Sequence, residues 1–572
     1  MYSNPSISAG QRLHLTIQRA LLFLRTIRHL RITQIYHQLL YRLVLARVPA
    51  TGNAPPLRNC LSYLPRYLDA TEGMLSPDGE FRFLNHAHRF EVGGVNWRAP
   101  RFPKLWRYNL HYFDYLLSPS VSGDQKLALI DDWIAQNPPG TPDAWEPYPI
   151  SLRITNWVKY FQSLPAEAVK IAWTESLAQQ AAWLERRLEY HLLANHLFKN
   201  AVALVFSGVY FGGGAGDRWL KTGWRLFRAE MREQFLADGG HFERSPMYHA
   251  IGLVDCLDVL NLVSAAAPEI KNTLDDALRA QIQRGVEFLH DVTMPDGGLA
   301  LFNDAATGIA PPVSEIFDYA SRLLGPQVVH GDPCLRIIER AATGFFGVQC
   351  GQDKILIDCG PVGPDYQPGH AHCDTLSYEL ALNGARMIVD TGTYDYEASS
   401  RRFASRSTRG HNTVMIDGAE QSEIWGVFRV ARRAKPLSPS IRAEQGGFLF
   451  EGMHDGYLRL RGAPLHLRRI RFDGHACYEI EDTILGRGVH QAESFIHFHP
   501  DYTPVMEGAY VVVKGTDGAH LASLELMGSP EIEVQTGEYF PQFGISLTHK
   551  VLRLQVRGRL PLSFGYRIRK LG

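Results

Sequence analysis

At 572 residues the chain is too long for one ordinary core, and its 45% apolar and 11% aromatic content suffices to bury two or three. Lys plus Arg and Asp plus Glu both total 59, which leaves no overall field suited to nucleic acid or to an acidic membrane and sets nucleic acid aside as a partner. The seven cysteines are scattered, so neither a disulfide framework nor a paired zinc motif is present.

The first segment is locally basic: no Asp or Glu precedes Asp69, while Arg12, Arg19, Arg25, Arg28, Arg31, Arg42, Arg47, Arg58 and Arg66 do. Its apolar residues recur at helical spacing, as in Ile32, Ile35, Leu39 and Leu43, but Arg interrupts it too often for a membrane span of about 20 apolar residues. A basic start, an unbroken apolar stretch and a small-residue cleavage site do not occur in the order of a secretory signal. Residues 1–100 therefore read as a basic helical segment and a lead-in to the longer helical region beyond it. Such a helix either packs on its own protein, the commoner use, or docks on an anionic membrane face, an acidic polymer or an assembly complex.

Between about residues 105 and 340 the periodicity is helical, with aromatic-rich amphipathic segments at 127–136, 152–164, 176–206, 219–237 and 250–267. Short connections predict helical hairpins packed side by side. Trp106 and Tyr108 head a group of aromatic and basic residues suited to stacking on sugars, though core packing uses the same residues. In Asn195-His196-Leu197-Phe198-Lys199-Asn200, residues four apart share a face and line one surface with polar groups; tying neighbouring helices together is an equal use for them. The stretch 238–249 sets His241 and Glu243 ahead of a helix whose start is marked by Ser245 as N-cap and Pro246 at the first helical position. Tyr248 then falls in the first turn, where the helix dipole favours a phenolate and so suits proton transfer.

From about residue 343 the pattern changes to short strands, at 344–350, 354–358, 376–382, 385–390, 458–460, 470–472, 510–514, 521–526 and 551–556. Helices followed by strands mean separate domains, here 101–338 and 339–572. Asn383-Gly384 favours a two-residue hairpin turn, and with the turn centred there Ser377 faces Asp390. His370, His372 and Asp374 then emerge at the same end as Asp390, Tyr394 and Asp395. His411-Asn412-Thr413 opens a further strand, preceded by Arg401, Arg402, Arg406 and Arg409, which suit anionic sugars or simply solvent. His497 and His499 read as a packed or surface pair.

Asn195-His196, residues 243–249, residues 369–374 with Leu376-Ser377, and residues 409–418 together resemble the heparinase II/III family of polysaccharide lyases, over most of the chain beyond about residue 100. The resemblance implies an incomplete α/α toroid followed by an antiparallel β-sandwich domain, with substrate in the cleft between them. It also implies β-elimination on a uronic-acid-containing acidic polysaccharide, in which the C5 proton leaves and the C4 glycosidic oxygen is expelled. Proton removal beside a carboxylate builds a dianionic enolate, so donors or cations must face that carboxylate beforehand. By motif, Asn195 and His196 would neutralise it, Tyr248 would serve as base, acid or both, and His370 would be the second proton-transfer or neutralising group. Glu243, His241, Arg406, Arg409, Trp106 and Tyr108 are expected at the substrate. His372, Asp390 and His411 are expected to hold one divalent ion, zinc by ligand type, in a structural role, with no organic cofactor. Since residues two apart on a strand share a face, sending His370 and His372 to different sites requires residues 369–373 to be an irregular loop.

Two rivals remain in view. A glycoside hydrolase on the same scaffold would use two carboxylates, for which Glu243 and Asp374 can be proposed. A non-catalytic polysaccharide-binding protein of exopolysaccharide or cell-envelope assembly would keep the fold alone. The expected location is the cytoplasm or a membrane surface, against the periplasm usual for the family.

Overall fold

The computed structural model describes residues 9–43, 53–327 and 335–571, apart from residues 59, 71, 92–93, 445 and 509; Arg47, Cys334 and the side chain of Arg12 fall outside this description. Helices α1 (Ala9–Ile27) and α2 (Ile32–Leu43) precede a hairpin of β1 (Glu80–Phe83) and β2 (His86–Arg89). The helical layer comes next: α3 (Lys104–Tyr112), α4 (Gly123–Gln136), α5 (Pro147–Ser163), α6 (Ile171–Arg186), α7 (Ala194–Tyr210), α8 (Gly213–Gln234), α9 (Pro246–Ala265), α10 (Pro268–Lys271), α11 (Asp276–Val292) and α12 (Val313–Leu324). Helix α7 packs against α5, α8 and α9, and α9 against α11 and α12. Helix α9 is apolar on all sides and long enough to cross a membrane, yet most of it is buried within this layer, as a central core helix must be.

The expected single helix over 176–206 is two helices, α6 and α7. The side chain of Asn200 accepts from the Glu189 backbone N–H at 2.9 Å, and Leu193 and Ala194 turn with φ of 61° and 51°. Asn195 and His196 therefore stand in the first turn of α7 rather than midway along a rod.

The second half begins with a five-stranded antiparallel sheet, in order β3 (Arg336–Arg340), β4 (Phe345–Cys350), β5 (Asp353–Asp358), β6 (Tyr378–Leu382) and β7 (Ala385–Ile388). After α13 (Ser400–Arg406) and β8 (Val414–Ile416) come β9 (Pro436–Glu444), β10 (Gly447–His454), β11 (Leu465–Phe472), β12 (Cys477–Leu485), β13 (Val489–His497), β14 (Tyr502–Glu507), β15 (Tyr510–Gly515), β16 (His520–Met527), β17 (Glu531–Tyr539), β18 (Leu547–Arg559) and β19 (Leu562–Lys570). They form an eight-stranded sheet, β14-β15-β16-β19-β12-β11-β10-β9, and a four-stranded one, β17-β18-β13-β8. Phe346, Val414, Phe450, Ile470, Leu552 and Ile568 belong to one buried cluster, so the sheets share a core as the layers of a sandwich do. A smaller cluster of Met247, Leu301, Val389, Tyr539 and Phe543 joins the two halves.

Asn383 and Gly384 turn the β6–β7 hairpin with φ of 52° and 84°, as their sequence predicts. A bulge then shifts the register, pairing Leu380 with Ile388, so Ser377 does not face Asp390. Residues 369–373 carry no strand, which satisfies the geometric demand on His370 and His372. The strand expected at 458–460 is a turn, closed by Leu458 N–H to Asp455 O and Leu460 N–H to Tyr457 O.

Candidate active site

Two helix starts and one loop supply the expected catalytic set. Asn195, opening α7, donates its side-chain amide to both carboxylate oxygens of Glu243, at 2.9 and 3.2 Å. The next residue, His196, meets Glu189 Oε1 through Nδ1 at 3.1 Å, and its ring lies 4.5 Å from that of Tyr148. Burial alone would lower the His196 pKa, but the Glu189 charge and hydrogen bond, helped by Glu243, raise it. Ser245 caps α9 as read from the sequence, accepting from Tyr248 N–H at 3.3 Å with Pro246 at the first position. Tyr248 meets His370 from the other half, ring against ring at 4.1 Å, and exchanges a hydrogen bond of 3.1 Å with the hydroxyl of Tyr396. The expected easing of Tyr248 ionisation is reversed: burial, then the neighbouring Tyr396, push its pKa well above the usual phenol value.

Asp304, which sequence reasoning missed, ties the set together. Its Oδ2 accepts from His370 Nδ1 at 2.8 Å, its Oδ1 meets His372 Nε2 at 2.8 Å, and the Arg402 guanidinium clamps both oxygens. Its backbone carbonyl accepts from the Ser245 hydroxyl at 2.6 Å. Burial would raise this carboxyl, but Arg402 and the two imidazoles hold it well below the usual range. Asn303 completes the junction, receiving His372 N–H at 3.0 Å and giving its own N–H to Asp374 at 2.9 Å. The signal that finds this site is a repeat: Asp238-Gly239-Gly240 recurs as Asp296-Gly297-Gly298, each making the same tight hairpin after a helix and delivering a polar segment to the cleft.

The possible metal group is His372, Asp374 and His411, all buried, with ligand atoms within 4.8 Å of one another. His372 Nδ1 and His411 Nε2 have no hydrogen-bond partner within the protein, as nitrogens kept for a cation would not. The opposite nitrogens are held by Asp304 and Asp390, the latter 2.7 Å from His411 Nδ1. Asp390, expected as a ligand, is bonded to the opposite nitrogen of His411, and Asp374 completes the three-residue group. Burial lowers the His372 pKa to about 3, keeping the imidazole neutral as a ligand must be, and raises that of Asp374 to about 6.

Several residues expected at the substrate are otherwise engaged. Trp106 is fully buried and donates to the His86 carbonyl, so it serves the core. Arg406 is fully buried and braces two loops through the carbonyls of Ala371, Gly426 and Val427. His241 is buried against Gln234 at 3.0 Å, with its pKa lowered by burial to about 4. Glu243, 1% exposed, orients Asn195 and stands 3.7 Å from His370 Nε2. Tyr108 is half-buried, bonded to Glu146, and begins a run of rings through Tyr112 and Tyr148 to His196. Arg409 is exposed, its guanidinium over the Phe495 ring at 6.0 Å. The hydrolase pair fares no better, since Glu243 and Asp374 are both buried and bonded to neighbours.

Two sequence models of one family match this chain, Heparinase II/III N-terminus over residues 87–320 and Heparinase II/III-like, C-terminal over residues 337–566. A heparin-sulfate lyase of Pedobacter heparinus is 24% identical over 371 residues, covering 57% of this chain and 55% of that protein. A heparin-sulfate lyase of Bacteroides thetaiotaomicron is 27% identical over 493 residues, covering 75% and 66%. The match thus spans between about half and two thirds of these relatives' length. Among solved structures, heparinase III superposes with a TM-score of 0.67 at 18% identity, covering 84% of this chain and 80% of the other. Heparan sulfate lyase HepC from Pedobacter heparinus gives a TM-score of 0.56 at 17% identity, covering 85% and 79%. The fold is therefore that of heparinase III, an incomplete α/α toroid followed by an antiparallel β-sandwich, and the chain belongs to the heparinase II/III family.

Proposed function

We propose that this chain is a polysaccharide lyase that cleaves a uronic-acid-containing acidic polysaccharide by β-elimination. The observation that carries the reading is the meeting of Tyr248 and His370, one from each half of the molecule, with ring centres 4.1 Å apart and Glu243 linking His370 to Asn195. Two heparin-sulfate lyases among the relatives and the family membership support it.

The protonation states divide the work. His370 Nδ1 is engaged by Asp304, which leaves Nε2 with a lone pair for the C5 proton. Tyr248, kept protonated by burial, gives its proton to the C4 oxygen as that bond breaks and the C4–C5 double bond forms. His196, whose protonated form Glu189 favours, and the side-chain amide of Asn195, oriented by Glu243, face the uronate carboxylate, where negative charge grows. A divalent ion at His372, Asp374 and His411, zinc by ligand type, would act structurally, fixing the 370–374 loop against the His411 segment.

A panel of acidic polysaccharides tests the activity. A lyase leaves an unsaturated uronate that absorbs ultraviolet light; Tyr248→Phe should lower kcat at least about 100-fold while polymer affinity persists. Equal turnover by the variant would refute the assignment. For the ion, elemental analysis should find bound metal in the purified chain and lose it in His372→Ala; metal content unchanged by that substitution would place the ion elsewhere.

A further inference from the structure

The two N-terminal helices are amphipathic in reverse. On α2 the face turned towards the protein is polar and aromatic: Gln34 is 4% exposed and donates to the Tyr366 carbonyl, the His37 ring lies 4.8 Å from that of Tyr190, and Tyr41 stacks on His191 at 4.4 Å. The opposite stripe consists of Ile32, Ile35, Tyr36, Leu39 and Leu43, at the spacing of one helical face and between 46% and 85% exposed. Helix α1 is exposed over residues 15–20 and touches the protein near its end. Arg25 pairs with Glu423 and Thr26 accepts from the Trp425 indole, while Ile17, Leu21 and Leu24 on the other side are between 43% and 56% exposed.

A surface helix normally turns its apolar face inwards, so an outward apolar stripe marks a face covered by something else. Charge selects the cover. Residues 9–43 contain no Asp or Glu, and among the described residues Arg19, Arg28 and Arg42 are exposed and form no ion pair. A second copy of the chain would bring these unpaired cations towards one another. An anionic lipid surface would take both the cations, at its phosphates, and the apolar stripe, at the acyl boundary. We propose that α1 and α2 form a docking face for an anionic lipid bilayer, lying in its headgroup plane without crossing it. The same helices hold both halves of the molecule, α1 through Arg25 to Glu423 and α2 at Tyr190 and His191, so docking fixes the cleft relative to the bilayer. This inference stands apart from the lyase reading.

Flotation of the full chain with vesicles tests it, comparing equal parts phosphatidylglycerol and phosphatidylcholine with phosphatidylcholine alone. The chain should float with the anionic vesicles, less so as salt rises. The triple variant Ile32→Ser, Ile35→Ser, Leu39→Ser should bind them at least about tenfold more weakly, since each lost apolar contact removes about a CH2-scale increment or more. Its thermal unfolding and its activity on soluble polymer should match the parent, because these side chains already face solvent. Absence of binding to anionic vesicles, or binding unchanged in the triple variant, would overturn the proposal. So would a lipid-free dimer that the triple variant splits, which would assign the stripe to a second copy.

Discussion

Each imidazole of the cleft and of the metal group is held at one nitrogen by a carboxylate: His196 by Glu189, His370 and His372 by Asp304, His411 by Asp390. The other nitrogen is thereby given a direction and a job. On the proposed reading the job of His196 is to carry charge, and the upward direction of its pKa fixes the sign of a pH effect. The cation is present below that pKa and is lost as pH rises through it, so kcat/KM should fall on the alkaline side. Glu189→Gln removes the charge that offsets burial, and the alkaline limb should move towards acid. An alkaline limb that stays in place in a pH–rate profile would detach His196 from the substrate carboxylate.

At the scale of elements, the two Asp-Gly-Gly hairpins do the positioning, one leading to Glu243 and Tyr248 and the other to Asn303 and Asp304. Both middle glycines are left-handed, Gly239 with φ of 89° and Gly297 with φ of 81°, but only the first is crowded. A Cβ on Gly239 would lie 2.1 Å from the Arg284 carbonyl oxygen, and one on Gly297 would meet nothing within 4 Å. Urea unfolding should therefore report a loss of about 1 kcal/mol for Gly297→Ala, the left-handed strain alone, and at least about 3 kcal/mol for Gly239→Ala. Equal losses would mean that the α11 backbone yields freely. Elements of this kind explain what could be read beforehand. The Ser245-Pro246 cap and the Asn383-Gly384 turn are written in neighbouring residues, where backbone conformation is decided locally. The Asp-Gly-Gly repeat marks the segment that carries Asp304, but its pairing was not legible because its partners His370, His372 and Arg402 are 66, 68 and 98 residues away. Trp106 and Arg406 were misread for a related reason, since spacing places a residue on a face but does not tell which neighbour covers it.

Over the whole molecule, the change from helical to alternating periodicity near residue 340 was enough to foresee a helical half followed by an all-β half, the sandwich itself being what the family resemblance implied, and neither half holds the site alone. Asn195, His196 and Tyr248 come from the first, His370, Tyr396 and Arg402 from the second, with Asp304 at the seam. The direction of α1 and α2 was beyond the sequence for the reason that failed Trp106: the apolar stripe was visible, its outward orientation was not. On the proposed reading the union of the two halves makes elimination possible, because it sets His370 and Tyr248, from separate halves, side by side as proton acceptor and donor. Digestion of a uronate polymer in heavy-oxygen water, with products read by mass spectrometry, tests that claim most directly. Elimination breaks the C4–O bond without consuming water, so the new ends should carry no solvent oxygen. Uptake of one solvent oxygen at each cut would show hydrolysis and contradict the account.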